Sequence, residues 1–182
     1  LQHYGMGVLL DIVPNHMAAS HENDWWMDVL ENGASSPYAR FFDIDWRPAT
    51  AKAAFLLEDK VLLPVLGDLY GNVLENGELS IRLNESGFFV SYYEHRFPLD
   101  PASYGPILEP CIEGVAAQLG AAHPAVEELR ELKSLAAALP PRSAAEPAEA
   151  GRRRELARSL KQRLFRIYRD ELEVRLAVDA AL

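Results

Sequence analysis

One stretch limits what this chain can fold into more than any other: Gly7-Val8-Leu9-Leu10-Asp11-Ile12-Val13-Pro14-Asn15-His16. An apolar run of this length closed by proline predicts a buried parallel strand, because both faces of such a strand must be covered by neighbouring elements. Polar groups then arrive together at its C-terminal end. That is where barrel and open-sheet α/β enzymes gather their active sites, since the loops there converge on one crevice. The segment therefore reads as strand and site together.

A single parallel strand cannot satisfy its own backbone hydrogen bonds or cover its faces. The chain begins at Leu1, a few residues before this strand, and no second βα unit follows. An internal piece of a longer protein is the expectation, with most of the surrounding sheet outside the 182 residues.

Composition bounds the class without finding the function. A hydrophobic content of 49% can build a core for one or two domains. The one cysteine, Cys111, excludes an internal disulfide and reads as a small buried apolar residue in a reducing cytoplasm. No apolar run is long enough to span a bilayer and no signal peptide is evident, so a cytosolic chain without membrane partners is expected. Residues 152–182 carry nine Lys/Arg against five Asp/Glu, net +4, which leaves −13 of the chain's −9 for residues 1–151. Acidic residues interleave the basic cluster Arg152-Arg153-Arg154, and the acidic bulk repels phosphates. The cluster therefore reads as a solvated helix face, with no nucleic-acid partner.

After His16 the sequence predicts a helix near Trp25 to Asn32, capped by Asn23 or Asp24 and ended by Gly33. Ser36-Pro37 predicts the start of a second short helix. Residues 60–66 read as a strand interrupted at Pro64. Leu79 to Asn84 alternates as a half-buried strand should, Glu85-Ser86-Gly87 supplies a turn, and Phe88 to Arg96 returns as the hairpin partner. Helices are expected over 107–119 and 124–139, with Pro124 in a first turn. Residues 140–151 read as an exposed linker. A long amphipathic helix follows over 152–182, its stripe Leu156, Leu160, Leu164, Tyr168 and Leu172 packing against another helix.

Gly-(apolar)3-Asp-(apolar)2-Pro-Asn-His resembles the first conserved region of the α-amylase superfamily, glycoside hydrolase family 13, at the end of the third strand of a (β/α)8 barrel. Four further blocks are similar to the maltooligosyltrehalose synthase family: Asn23 to Gly33, Ser35 to Trp46, Lys60 to Gly67 and Tyr92 to Leu99. The resemblance covers roughly residues 1 to 110. It implies an α/β fold class: a barrel fragment contributing the third strand and its site loop (1–16), an inserted α+β subdomain (17–106), a helical part of the insertion (107–139), the linker (140–151) and a long helix (152–182).

The same resemblance implies an intramolecular glucosyl transfer, an isomerase reaction of trehalose biosynthesis. The reducing-end α-1,4 linkage of a maltooligosaccharide becomes an α,α-1,1 linkage, by double displacement through a glycosyl-enzyme intermediate. Water must be excluded, because it is the competing nucleophile. Neither nucleophile nor general acid is assignable within this chain, so the isolated piece is expected to be inactive. The remainder of the barrel is its implied partner, and no cofactor is implied.

His16 is implied to hydrogen-bond the sugar bound before the cleaved bond; a structural histidine is the other reading. Asp11, set between Leu10 and Ile12, either organises the strand end or supports the subsite. Asn15 matches a position that helps bind calcium in many amylases, but the acidic companions that calcium needs are not evident, and no metal is expected. Trp25, Trp26, Trp46, Tyr70, Tyr92 and Tyr93 supply flat rings for pyranose faces or for the core. Trp26 and Tyr93, within family-like blocks, are the glucan candidates, with His95 and Arg96 beside them. Asp68 is either a hydroxyl ligand or the cap of a helix over Tyr70 to Leu74. Two rival functions remain: an ordinary α-glucan hydrolase of the superfamily, and a non-catalytic carbohydrate-binding segment.

Overall fold

Asn23 starts the first helix by chemistry the sequence advertises. Its Oδ1 accepts from the backbone N–H of Trp25 and Trp26, at 3.1 and 3.4 Å, and its amide donates to Ala18 O at 2.7 Å. The resulting α1 (Asp24–Asn32) ends at Gly33, whose φ of 60° is the left-handed conformation that glycine adopts without a Cβ penalty. The computed structural model describes residues 2–11, 17–46, 63–143 and 146–182. After α1, 3-10 turns over Gly33–Ser35 and Ala39–Phe41 replace the second helix expected at Ser36-Pro37. Ser36 Oγ does accept from Tyr38 N–H at 3.1 Å, but the chain behind it makes only one tight turn.

A short α2 (Tyr70–Glu75) leads into a three-stranded antiparallel meander, β1 (Ser80–Asn84), β2 (Gly87–Tyr92) and β3 (His95–Pro98). Register runs Ser80 opposite Ser91 to Asn84 opposite Gly87, then Phe89 opposite Pro98 to Tyr92 opposite His95. Phe88 to Arg96 is therefore two strands and not one. The turn between them puts Tyr93 at φ 48°, a strained conformation for a residue with a Cβ.

Four helices complete the described chain: α3 (Gly105–Leu119), α4 (Pro124–Ala137), α5 (Pro147–Asp170) and α6 (Leu172–Ala181). Leu108, Cys111 and Val115 of α3 meet Val126, Leu129 and Leu132 of α4, Leu160 and Leu164 of α5, and Val174 and Val178 of α6 in one core. Their spacing of three and four residues is the helical core stripe. The sheet joins through Phe88, edge-on to Tyr104 with ring centroids 4.8 Å apart. Tyr104 Oη also accepts from Phe88 N–H at 3.0 Å. Burial pushes the Tyr104 phenol well above its ordinary pKa, so it stays a neutral hydroxyl.

Several expectations are corrected. Residues 6–11 form no strand and lie exposed, Leu9 at 98%. A parallel strand needs hydrogen-bonding neighbours, and none stands beside this segment among the described residues. Residues 12 and 13 lie outside the described residues, as do 60–62, while 63–66 are irregular. Pro147 opens α5, so the linker ends before it and not at 151. The long helix over 152–182 is two helices: Glu171 turns extended at φ −113°, ψ 114°. The turn lays Val174 and Val178 into the core against α3, where Gly114 lets Ala177 approach, and Leu172 stays 51% exposed. The buried face of α5 is Ala150, Arg153, Ala157, Leu160, Leu164 and Ile167, sharing only Leu160 and Leu164 with the expected stripe. No helix among the described residues is long and apolar enough to cross a membrane.

Candidate functional site

Asp24, Asp28 and Glu31 stand at i, i+4 and i+7 of α1, so they share one face of the helix. That face looks across a cleft of about 330 Å3 toward the β1–β2 turn, Arg96 on β3 and Lys161 on α5. Three elements from distant parts of the chain hold it open. The lower bound for small-molecule sites is roughly 300 Å3, so the cleft fits one small ligand or a unit of a larger one.

Polar groups in the wall are already oriented. Ser36 Oγ donates to Asp28 Oδ1 at 2.5 Å, and Asn84 Oδ1 accepts from Ser86 N–H at 2.8 Å. Lys161 Nζ donates to both oxygens of Glu31, at 2.8 and 2.6 Å. Burial nevertheless holds the Glu31 carboxyl above its ordinary pKa, outweighing the attraction of Lys161. The apolar part of the lining is Met27, Phe88, Phe89 and Pro98, and Phe88 also belongs to the core. The Arg96 guanidinium carbon lies 6.0 Å from the centroid of the Phe89 ring.

Gly87 fixes how closely the hairpin meets the helices. At φ 106° it is strained for any other residue, and an added Cβ would overlap the Tyr104 hydroxyl and come within 2.7 Å of Lys161 Cδ. Arg153 clamps the back of α1. Fully buried, it donates to Asp100 Oδ1 at 2.6 Å, to the Pro140 carbonyl, and to Asn32 Oδ1 at 3.4 Å. Arg142 adds a bond to Leu30 O at 2.7 Å. The reading of Arg152-Arg153-Arg154 as a solvated face is thus wrong for its middle member, because the helix period turns Arg153 inward onto a waiting carboxylate.

Of the described residues that the sequence offered as substrate contacts, Arg96 alone lines this cleft. Asn15 and His16 lie outside the described residues. Asp11 is exposed in the irregular segment, next to an exposed Leu10. Trp26 is half-buried against Phe42, ring centroids 5.2 Å apart. Asp68 is exposed, and its oxygens accept from Leu69 N–H at 2.7 Å and Asn72 Nδ2 at 3.0 Å, which holds its carboxyl below the usual range. It sits before α2 without capping it in the N-cap position, which Leu69 occupies.

Tyr93 and His95 flank the β2–β3 turn at the other end of the sheet. Tyr93 Oη donates to Glu78 Oε2 at 3.1 Å, which raises the phenol's pKa, and the His95 ring lies between Tyr92 and Phe97 at 6.5 and 5.9 Å. Gly67 N–H donates to Tyr92 Oη at 2.9 Å and brings the loop carrying Asp68 to that turn. Trp25, exposed enough to meet a sugar, is stacked on Tyr38 and Phe41 at 5.0 Å each, so its ring surface is used by its own neighbours.

A stretch of 87 residues is 39% identical to proteins named "Putative maltooligosyl trehalose synthase" from two strains of Mycobacterium tuberculosis. The resemblance read from the sequence is found. The match covers 42% of this chain and 10% of those relatives, so the chain matches about a tenth of the length of the curated proteins it resembles. No family model matches, and no solved structure matches.

Beside the maltooligosyl trehalose synthase likeness, the cleft residues missed in the sequence divide into two kinds. Asp24, Asp28 and Glu31 carried a signal, carboxylates at helical spacing inside a helix that was correctly placed. Lys161 carried none, since its pairing with Glu31 spans 130 residues and only the folded core brings them together.

Proposed function

We propose that the protein carrying this chain is an intramolecular transglycosylase that converts the reducing-end α-1,4 linkage of a maltooligosaccharide into the α,α-1,1 linkage of a trehalosyl sugar. The observation that carries this reading is the 39% identity to maltooligosyl trehalose synthases over 87 residues. The nucleophile and general acid come from parts of the protein beyond this chain, in a retaining mechanism with two closely spaced carboxyl groups.

This chain's share is to hold and enclose glucan. His16 hydrogen-bonds the sugar next to the reacting linkage, with Asp11 and Asn15 ordering the same loop, and the insertion after His16 helps keep water from the glycosyl-enzyme intermediate. Trp26, Asp68, Tyr93 and His95 belong to this reading as further glucan contacts. The protein works in the cytoplasm, and the barrel that completes its site lies in the parts of the protein beyond this chain.

Incubating the full-length protein with maltopentaose and separating the products tests it. A non-reducing pentasaccharide is expected. Glucose and maltose would make it an α-glucan hydrolase, and unchanged substrate a binding module; either result overturns the proposal.

A further inference from the structure

We propose that the cleft between α1, the β1–β2 turn and Arg96 binds one pyranose unit of a neutral glucan. The proposal rests on the glucan reading above for its choice of sugar.

The wall chemistry selects the ligand class. A pyranose has two apolar C–H faces and a rim of hydroxyls, each both donor and acceptor. Met27, Phe89 and Pro98 offer apolar surface, and Asp24, Asp28, Asn84 and Arg96 offer oriented acceptors and donors around it. Phosphate or another anion would face Asp24 and Asp28 with Arg96 as the one arginine or lysine free to meet it, because Lys161 is already bound to both Glu31 oxygens; His21 is the remaining basic side chain of the wall. A metal cation would face Arg96, and no metal-holding group of His, Cys, Asp and Glu occurs among the described residues. A neutral polyol meets neither conflict. Carboxylates accept well from hydroxyl donors, and charge-assisted hydrogen bonds are about twice as strong as neutral ones.

Affinity electrophoresis of the full-length protein through native gels containing soluble starch tests this without requiring turnover. Arg96→Ala removes a donor from the rim at an exposed position, and Ser86→Trp fills the cleft from an exposed turn. Each is expected to weaken the dissociation constant for starch threefold or more, with migration in starch-free gels unchanged. A change below threefold in Ser86→Trp overturns the proposal. So does retardation in polygalacturonate gels that is lost in Arg96→Ala, since that marks an anion site. Hydrolytic products from maltopentaose together with starch retention lost in the variants would refute the transglycosylase reading and leave the cleft standing.

Discussion

Replacing Arg153 by methionine keeps the apolar stem and removes the guanidinium. Three acceptors then lose a donor: the Asp100 carboxylate, which keeps the Ala102 N–H at 2.9 Å, the Pro140 carbonyl and the Asn32 side-chain oxygen. Removing one partner of a buried ion pair costs about 3 to 5 kcal/mol, because the charge left behind is uncompensated. The Asp100 side chain is 21% exposed and keeps Arg142 Nε at 3.9 Å, so its charge is partly compensated, which places the expected loss near the lower end, about 3 kcal/mol. For a chain of this size that lowers Tm by roughly 6 to 12 °C. Urea unfolding of the 182-residue chain, read by circular dichroism, measures it. Asp100→Asn in the same background should cost less than it does alone, by at least about 1 kcal/mol of coupling, since the stranded charge is gone. A loss below about 1 kcal/mol for Arg153→Met would show that the clamp contributes nothing and refute the reasoning.

Gly87→Ala should destabilise by about 2 to 4 kcal/mol through positive-φ strain and collision with Tyr104 and Lys161, measured by the same unfolding curve. Glu128 accepts from Arg163 Nε and Nη2 at 2.9 and 2.7 Å, which holds its carboxyl below the ordinary range. Its contribution is therefore present above the ordinary carboxylate pKa and lost as pH falls through the lowered one, so Glu128→Gln should cost about 1 kcal/mol at pH 7 and little at pH 2. Burial pushes the Cys111 thiol up to about 11, so a disulfide reagent at pH 8 should label the folded chain slowly and the urea-unfolded chain at once. In the full-length protein, His16→Ala should lower kcat/KM roughly ten- to a thousandfold with Tm retained; a fall in Tm with kinetics unchanged would make it a structural histidine.

Local chemistry was legible in the sequence where a single residue decides the outcome. Asn23 and Gly33 bound α1, Pro124 opens α4, and the turn Glu85-Ser86-Gly87 sets the first hairpin. What long-range packing decides was not legible. Nothing near Glu171 resembles a helix breaker; the break follows from the place α6 finds against α3. Tyr93 gives no warning of a turn, because a tyrosine at positive φ is held there by its surroundings. The cleft divides the same way: its carboxylates lay on a recognisable helix face, while Lys161 takes its role from Glu31, 130 positions away.

The tie between Glu31 and Lys161 has a consequence for how the chain is made. The two residues are 130 positions apart, so on a ribosome adding roughly 5 to 20 residues per second α1 waits about 6 to 26 s before its anchor has been synthesised. Until then its acidic face and the unfinished hairpin have no helix to close upon. Contacts this distant in sequence also slow folding after release. The order of assembly follows: the helices from Gly105 onward build the platform, and α1, made before them, settles on it afterwards.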